Sequence, residues 1–279
     1  MGSDSSEATR HGGIVPPGFV GLEPGASEYL VVAVDFDLTS RGEAGFRDLA
    51  TLLPEPVTVW LTAQPPASIA DTASGAVYTA WWWDRLAASG ARIDAILGYC
   101  AGSVFACALA DEVARQHGRR PATIVFNPGR PTRGSVFRDM RTTLTSLSSL
   151  SAAERDDLIG QASALLQQWP RDVPGILDRL LALYRDAAGD AFERVGIAPD
   201  VSAELIDVFA SYTAYLRAAS TMAPHPQWSS ATAVISVEDD GEPDFTAHRI
   251  PTEISRRDLL RTPQVARLVL NAMQPQGRR

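Results

Sequence analysis

The stretch from Ile93 to Ala110 limits what this chain can become more than any other. An apolar run ends in Gly98-Tyr99-Cys100-Ala101-Gly102 and passes directly into an alanine-rich helical pattern. Strand, tight turn and helix in that order, with Cys100 at the apex, is the layout of a nucleophile elbow. Such a turn lifts a side chain above a sheet, and small flanking residues let neighbouring backbone come close. Serine usually stands at the apex, so the rest of the chain must be read for what would make a cysteine react there.

Around this stretch the chain alternates strand and helix. Tyr29 to Phe36 (YLVVAVDF) and Pro56 to Thr62 (PVTVWLT) are continuous apolar runs rich in β-branched residues, which suit strands buried on both faces of a parallel sheet. A helical pattern lies between them around Gly45 to Leu53, and a second covers Ala67 to Gly90, where Trp81-Trp82-Trp83 is expected to be half core and half groove lining. Ile93 to Tyr99 is the third strand, followed by the elbow helix to about His117 and a fourth strand, Ala122 to Phe126, ending at Asn127-Pro128-Gly129. Repeated βα units imply an open, mostly parallel sheet with helices on both faces. The rhythm then breaks. Residues 132–220 carry only helical segments, one opened by the capping-box pattern Ser151-Ala152-Ala153-Glu154. Strand character returns at Ala231 to Val237 and Phe245 to Ile250, and Arg256 to Met273 reads as a closing amphipathic helix. The expected organisation is a flexible leader over 1–27, a core over 28–131 and 221–279, and a helical lid insertion over 132–220.

Composition narrows the chemistry. A chain of 279 residues with 45% hydrophobic content can fill one substantial core. All 25 basic residues are arginine, which excludes a lysine Schiff base or a Walker lysine, and 33 acidic residues bring the net charge to -8. That balance argues against nucleic acid, which needs a basic face. Cys100 and Cys107, seven residues apart in one helical segment, make no disulfide framework, so a reducing cytoplasm is the expected compartment. No apolar run is long enough to suggest a membrane span, and no metal or cofactor site is expected.

The strand-elbow-helix at Gly98 to Gly102, the strand ending at Asn127, the helical insertion and the strand-plus-helix C-terminus together resemble the α/β-hydrolase fold. More narrowly, the chain looks like the thioesterases that act on carrier-tethered acyl chains in polyketide and nonribosomal peptide assembly. In Cys100 and overall layout it is also similar to the cysteine-dependent Dieckmann cyclases, which release chains by carbon-carbon bond formation. The resemblance runs from about Tyr29 to the C-terminus. It implies a triad acid after the strand that follows the elbow helix, where this chain has Asn127, and a histidine in the loop before the last helix. That stretch here is Thr252-Glu253-Ile254-Ser255-Arg256, without histidine. Of the four histidines, His11 is in the leader, His117 ends the elbow helix, and His225 sits between two prolines. His248, just upstream of the loop, is the candidate base, the alternative being an ordinary strand residue. A second place for the acid is Glu238-Asp239-Asp240, the other reading of which is a solvated turn.

The departures are chemically coherent. A thiol is already partly ionised near neutral pH and a helix N-terminus lowers its pKa further, so cysteine depends less on a full triad than serine does. Asparagine can orient a histidine. The oxyanion hole is expected from the Ala101 amide and an amide near Phe36 or Asp37, though the Asp37 charge would repel an oxyanion unless it points away. Arg130, Arg133 and Arg138 are candidates to dock an acidic acyl or peptidyl carrier protein, or its phosphopantetheine phosphate, with a solvated charged loop as the other reading. The expected function is a thioesterase-like enzyme that accepts an acyl chain on Cys100 and releases it by cyclisation or hydrolysis. The alternatives are a non-catalytic binding protein on a degenerate thioesterase fold, or a simple ester hydrolase.

Overall fold

The structure is a computed structural model that describes residues 14–22, 29–37, 42–54, 57–70, 74–169, 171–239, 245 and 248–273. Within them β2 (Tyr29–Val34), β3 (Val57–Thr62), β4 (Ala95–Tyr99), β5 (Ala122–Phe126), β6 (Thr232–Ile235) and β7 (His248–Pro251) pair in parallel, and β1 (Phe19–Gly21) runs antiparallel along β3. The sheet order is β1-β3-β2-β4-β5-β6-β7. β1 corrects part of the expected leader: three residues beside Gly18 are too short for any periodicity to reveal, yet they cover the β3 edge with Phe19 opposite Thr62. His11 and the rest of 1–13, like 23–28, lie outside the described residues.

The central strands are apolar throughout because both faces are covered. On one face Val32, Ile96 and Val125 pack against Tyr78 and Trp82 of α3 (Gly75–Ser89) and Phe105 of α4 (Gly102–His117). On the other, Val31, Ala33 and Leu97 meet Phe46 of α1 (Phe46–Ala50) and Val265 and Val269 of α9 (Pro263–Met273). A short helix, α2 (Ala67–Ala70), precedes α3. Trp82 and Trp83 are buried, and the Trp82 indole donates to the Ala63 carbonyl at 2.7 Å, so these two belong to the core, whereas half-buried Trp81 carries the Arg85 guanidinium over its ring at 3.8 Å.

The closing helix is shorter than expected. Pro263, favourable in a first helical turn, marks its start. A 3-10 turn at Leu259–Arg261 precedes it, leaving 252–258 as a loop that reaches back over the sheet.

Among the described residues, 132–220 are helical and carry four helices: α5 (Arg133–Ser146), α6 (Ala152–Gln168), α7 (Val173–Arg194) and α8 (Pro199–Ser220). The capping box at Ser151 is formed, with Glu154 reaching back to the Ser151 amide at 2.8 Å. α8 ties this insertion to the core. Its Tyr215 ring lies 5.0 Å from Phe105 and 5.6 Å from Phe36, centroid to centroid. At its C-terminal end Met222 approaches α3 so closely that a Cβ on Gly75 would sit 2.3 Å from the sulfur.

The chain leaves β2 for β3 on one side and returns to β4 on the other, so the strand order reverses between β2 and β4. In open α/β sheets that reversal opens a crevice at the carboxyl ends of the strands. The loops after β2 and β4 flank it here, and the helical insertion covers it.

Candidate active site

Cys100 follows β4 at φ +49°, a left-handed conformation that costs a non-glycine residue about 1–3 kcal/mol. Its amide donates to Phe126 O at 2.9 Å and its carbonyl accepts from Ser103 N at 3.0 Å, which hold the turn. Both flanking glycines are required by space. A Cβ on Gly98 would lie 2.7 Å from the Ala106 Cβ and the Ser103 Cα, and one on Gly102 would lie 2.3 Å from the Val34 carbonyl oxygen. With no side chain at either position, α4 can start against the end of β2, and the cysteine stands at the crevice.

Cys100 opens into a cavity of about 690 Å³ between the strand ends and α5, α7 and α8. The wall carries five charged residues, Asp35, Glu43, Arg138, Asp139 and Arg256, and the last three act on the thiol. The helical insertion adds an apolar part, with Phe192, Ile197, Leu205, Val208 and Phe209. Burial pushes the Cys100 thiol up to about 11, and the Asp139 carboxylate adds to the rise. The Arg256 guanidinium, a hydrogen bond from the Ala101 amide and Arg138 act in the opposite sense without cancelling it. At neutral pH the thiol is protonated, contrary to the expectation from the helix N-terminus alone: desolvation outweighs the dipole.

None of the three described histidines lines this cavity. His248, the expected base, pairs with Thr232 at the start of β7 and is exposed. β7 is three strands from β4, or about 14 Å across the sheet, and His248 lies about 10 Å toward its opposite edge. It cannot reach the thiol. His117, at the far end of α4, is about 24 Å along the helix from Cys100 and packs against Trp83. His225 is exposed, 3.9 Å from Asp111.

Arg256 occupies the loop position at which the resemblance implies a histidine. Its amide donates to Glu238 at 2.6 Å and its guanidinium pairs with Asp239 at 3.1 Å. Burial would lower its pKa, but Cys100, Tyr99, Glu43 and Asp239 outweigh that and raise it. The acidic turn after β6 therefore positions an arginine, a group that cannot accept a proton. Asp240 lies outside the described residues.

Asn127 also takes a left-handed conformation, φ +43°, and its Oδ1 accepts from Ser236 N at 2.8 Å. It is 2% exposed and does not line the cavity, and its Nδ2 makes no hydrogen bond among the described residues. Here it stitches the ends of β5 and β6 together, and it makes no hydrogen bond to any described histidine.

Of the oxyanion donors, the Ala101 amide bonds the Cys100 sulfur and the Phe36 amide donates to the Asp35 carboxylate at 2.8 Å. Asp37 pairs with Arg47 at 2.6 Å and does not line the cavity. Among the three arginines after Asn127, Arg138 lines the cavity, whereas Arg133 caps the Leu166 carbonyl at 3.5 Å and neither it nor Arg130 reaches the cavity.

Asp35, Glu43, Tyr99, Asp139 and Arg256 escaped the sequence reading. Two signals were available: Arg138, Asp139, Thr142, Thr143 and Ser146 fall on one face at helical spacing, and Arg256 stands in the loop where a catalytic side chain was sought.

The strand order, the strained turn after β4 and the helical cover over the crevice define an α/β-hydrolase fold. That fold is shared with a solved thioesterase domain. The Vlm2 thioesterase domain, solved with a bound dodecadepsipeptide, shares 17% identity over 92% of this chain and 98% of its own, with a TM-score of 0.51. The NocB thioesterase domain from the nocardicin cluster matches at 14% identity over 88% of this chain and 93% of its own, TM-score 0.49. An α/β hydrolase from Sphaerobacter thermophilus matches at 17% identity over 92% and 95%, TM-score 0.46. At such identities the likeness is one of fold. No family model matches the chain, and neither does any curated protein sequence. No described helix is long and apolar enough to cross a membrane.

Proposed function

We propose that this protein takes an acyl chain from a carrier-protein thioester onto Cys100 and releases it by attack of a nucleophile within the chain itself. The observation that supports this reading is the strained elbow that presents a thiol to a cavity lined by charged residues and by apolar residues of the helical insertion. Cys100 packs in part against the core, but packing does not need a left-handed backbone, and strain of this kind persists where the surrounding structure imposes it. The cavity is of a size that suits a medium-sized ligand.

In this reaction the Cys100 sulfur bonds to the acyl carbon, the carbon–sulfur bond to pantetheine breaks, and the thiol proton ends on the departing pantetheine sulfur. One thioester replaces another, so the intermediate stays reactive. A chain confined by the apolar lid lies close to its own thioester, which favours ring closure over hydrolysis. Arg138 meets the phosphopantetheine phosphate. The test is turnover of an acyl-loaded carrier protein with product mass as the readout: release of carrier thiol together with a dehydrated, cyclic product supports the reading, and its loss in Cys100→Ala assigns it to this residue. Carrier unchanged at high enzyme concentration refutes it.

A second reading has its own observation. A thiol held near pKa 11, with arginine where a base was expected, suits a protein that binds an acyl chain without turning it over. That reading predicts carrier or ligand affinity unaffected by Cys100→Ala and no product.

A further inference from the structure

We propose that Asp139, carried by the lid helix α5, accepts the Cys100 proton as the acyl chain is transferred. This rests on the reading of Cys100 as acyl acceptor and supplies the proton acceptor that the histidines do not. Asp139 and Cys100 line the same cavity, and the Asp139 charge helps to raise the thiol pKa. One carboxylate oxygen is fixed: Oδ2 accepts from the Tyr212 hydroxyl of α8 at 2.7 Å. Oδ1 makes no hydrogen bond among the described residues. The other two cavity carboxylates are engaged differently, Asp35 with the Phe36 amide and Glu43 with the Tyr99 hydroxyl.

The groups that face Asp139 come from four elements besides its own. They are Tyr212 on α8, Glu43 before α1, Arg256 in the loop after β7 and Cys100 at the elbow, together with Arg138 on α5. Burial raises the Asp139 pKa above the usual carboxylate range, while the Tyr212 hydrogen bond and the two arginines moderate the rise. A carboxylate so placed is a stronger base than an exposed one.

The proton balance closes without a co-reactant. As sulfur bonds to the acyl carbon, its proton passes to Asp139. As the tetrahedral adduct collapses, Asp139 returns that proton to the pantetheine sulfur, leaving acyl-Cys100, free carrier thiol and an ionised aspartate. Because Asp139 sits on the lid, an open lid separates base from nucleophile.

Two rates measured on the same proteins test this: alkylation of Cys100 by iodoacetamide, which follows the thiolate fraction, and acylation of Cys100 by an acyl-loaded carrier. Asp139→Asn removes a negative charge beside the thiol, so alkylation at pH 8 rises by up to about tenfold. Acylation falls by about 10²-fold or more, because the proton acceptor is gone. The wild-type acylation rate falls as pH drops through the Asp139 pKa, and this acid limb is absent in Asp139→Asn. Tyr212→Phe keeps the ring against Phe36 but deletes the hydroxyl that lowers the Asp139 pKa, so its acid limb moves to higher pH; this variant decides the matter if Asp139→Asn does not fold. If both rates rise in Asp139→Asn, or the acid limb ignores Tyr212→Phe, Asp139 only tunes the field and the proposal is overturned. If wild-type protein never acylates while Cys100 alkylates normally, the acceptor reading itself fails, and this proposal with it.

Discussion

Cys100 should be a slow nucleophile in the empty protein. Its thiol is raised from 9.0 to about 11, chiefly by burial. Two pKa units mean about a hundredfold less thiolate at neutral pH than in an ordinary cysteine of this kind, and only the thiolate attacks. Alkylation by iodoacetamide, followed by intact mass in a Cys107→Ala background with Cys100→Ala as the blank, reads this fraction. The logarithm of the rate should rise by one per pH unit from pH 7 to about 10 and bend near 11. Arg256→Gln removes the strongest cation acting on the thiol, so it should shift the bend upward and slow the reaction at every pH below it. A bend below pH 8.5 in the wild type would refute the reasoning, because it would require a cation or base at the thiol that outweighs its desolvation.

Other consequences concern the scaffold. Gly102→Ala forces a methyl to 2.3 Å from the Val34 carbonyl oxygen and should cost about 1–3 kcal/mol or more, read as a fall in Tm of several degrees; an unchanged Tm would mean that the elbow can shift freely. Asn127→Ala strips the buried Ser236 amide of its acceptor and should cost about 1–3 kcal/mol in urea unfolding. Cys100, Cys107 (pushed up to about 12 by burial) and Tyr184 all have folded pKa values above their ordinary ones. Their contribution to stability is complete below the unfolded thiol pKa and is lost as pH rises through the folded values. Urea midpoints should therefore fall between about pH 9 and 12, with a shallower decline in Cys107→Ala.

Much of the scaffold was legible because its signals are local. Apolar β-branched runs marked β2 to β5, the Ser151 capping box marked a lid helix, and Gly98 and Gly102 around Cys100 marked the elbow. β1 escaped because a three-residue edge strand carries no period, and the last helix was overextended because its start depends on Pro263 more than on its amphipathic face. The site was harder to read. Its charged wall draws Asp35, Glu43, Asp139 and Arg256 from four separate regions, and only the folded chain says which charges face inward. His248 looked suitable because it precedes the right loop, but a strand delivers its last residues to the crevice, and His248 is the first of its strand. Asn127 was found at its expected strand end, yet its hydrogen bond goes to Ser236.

The central claim is that Cys100 carries an acyl chain, and the most direct measurement is the intact mass of the protein quenched in acid after mixing with an acyl-pantetheine thioester. The account predicts a mass gain equal to one acyl group, mapped to the peptide that contains Cys100, reversible by hydroxylamine and missing in Cys100→Ala. A protein that stays at its native mass while the thioester is bound, or an adduct that persists in Cys100→Ala, would contradict it.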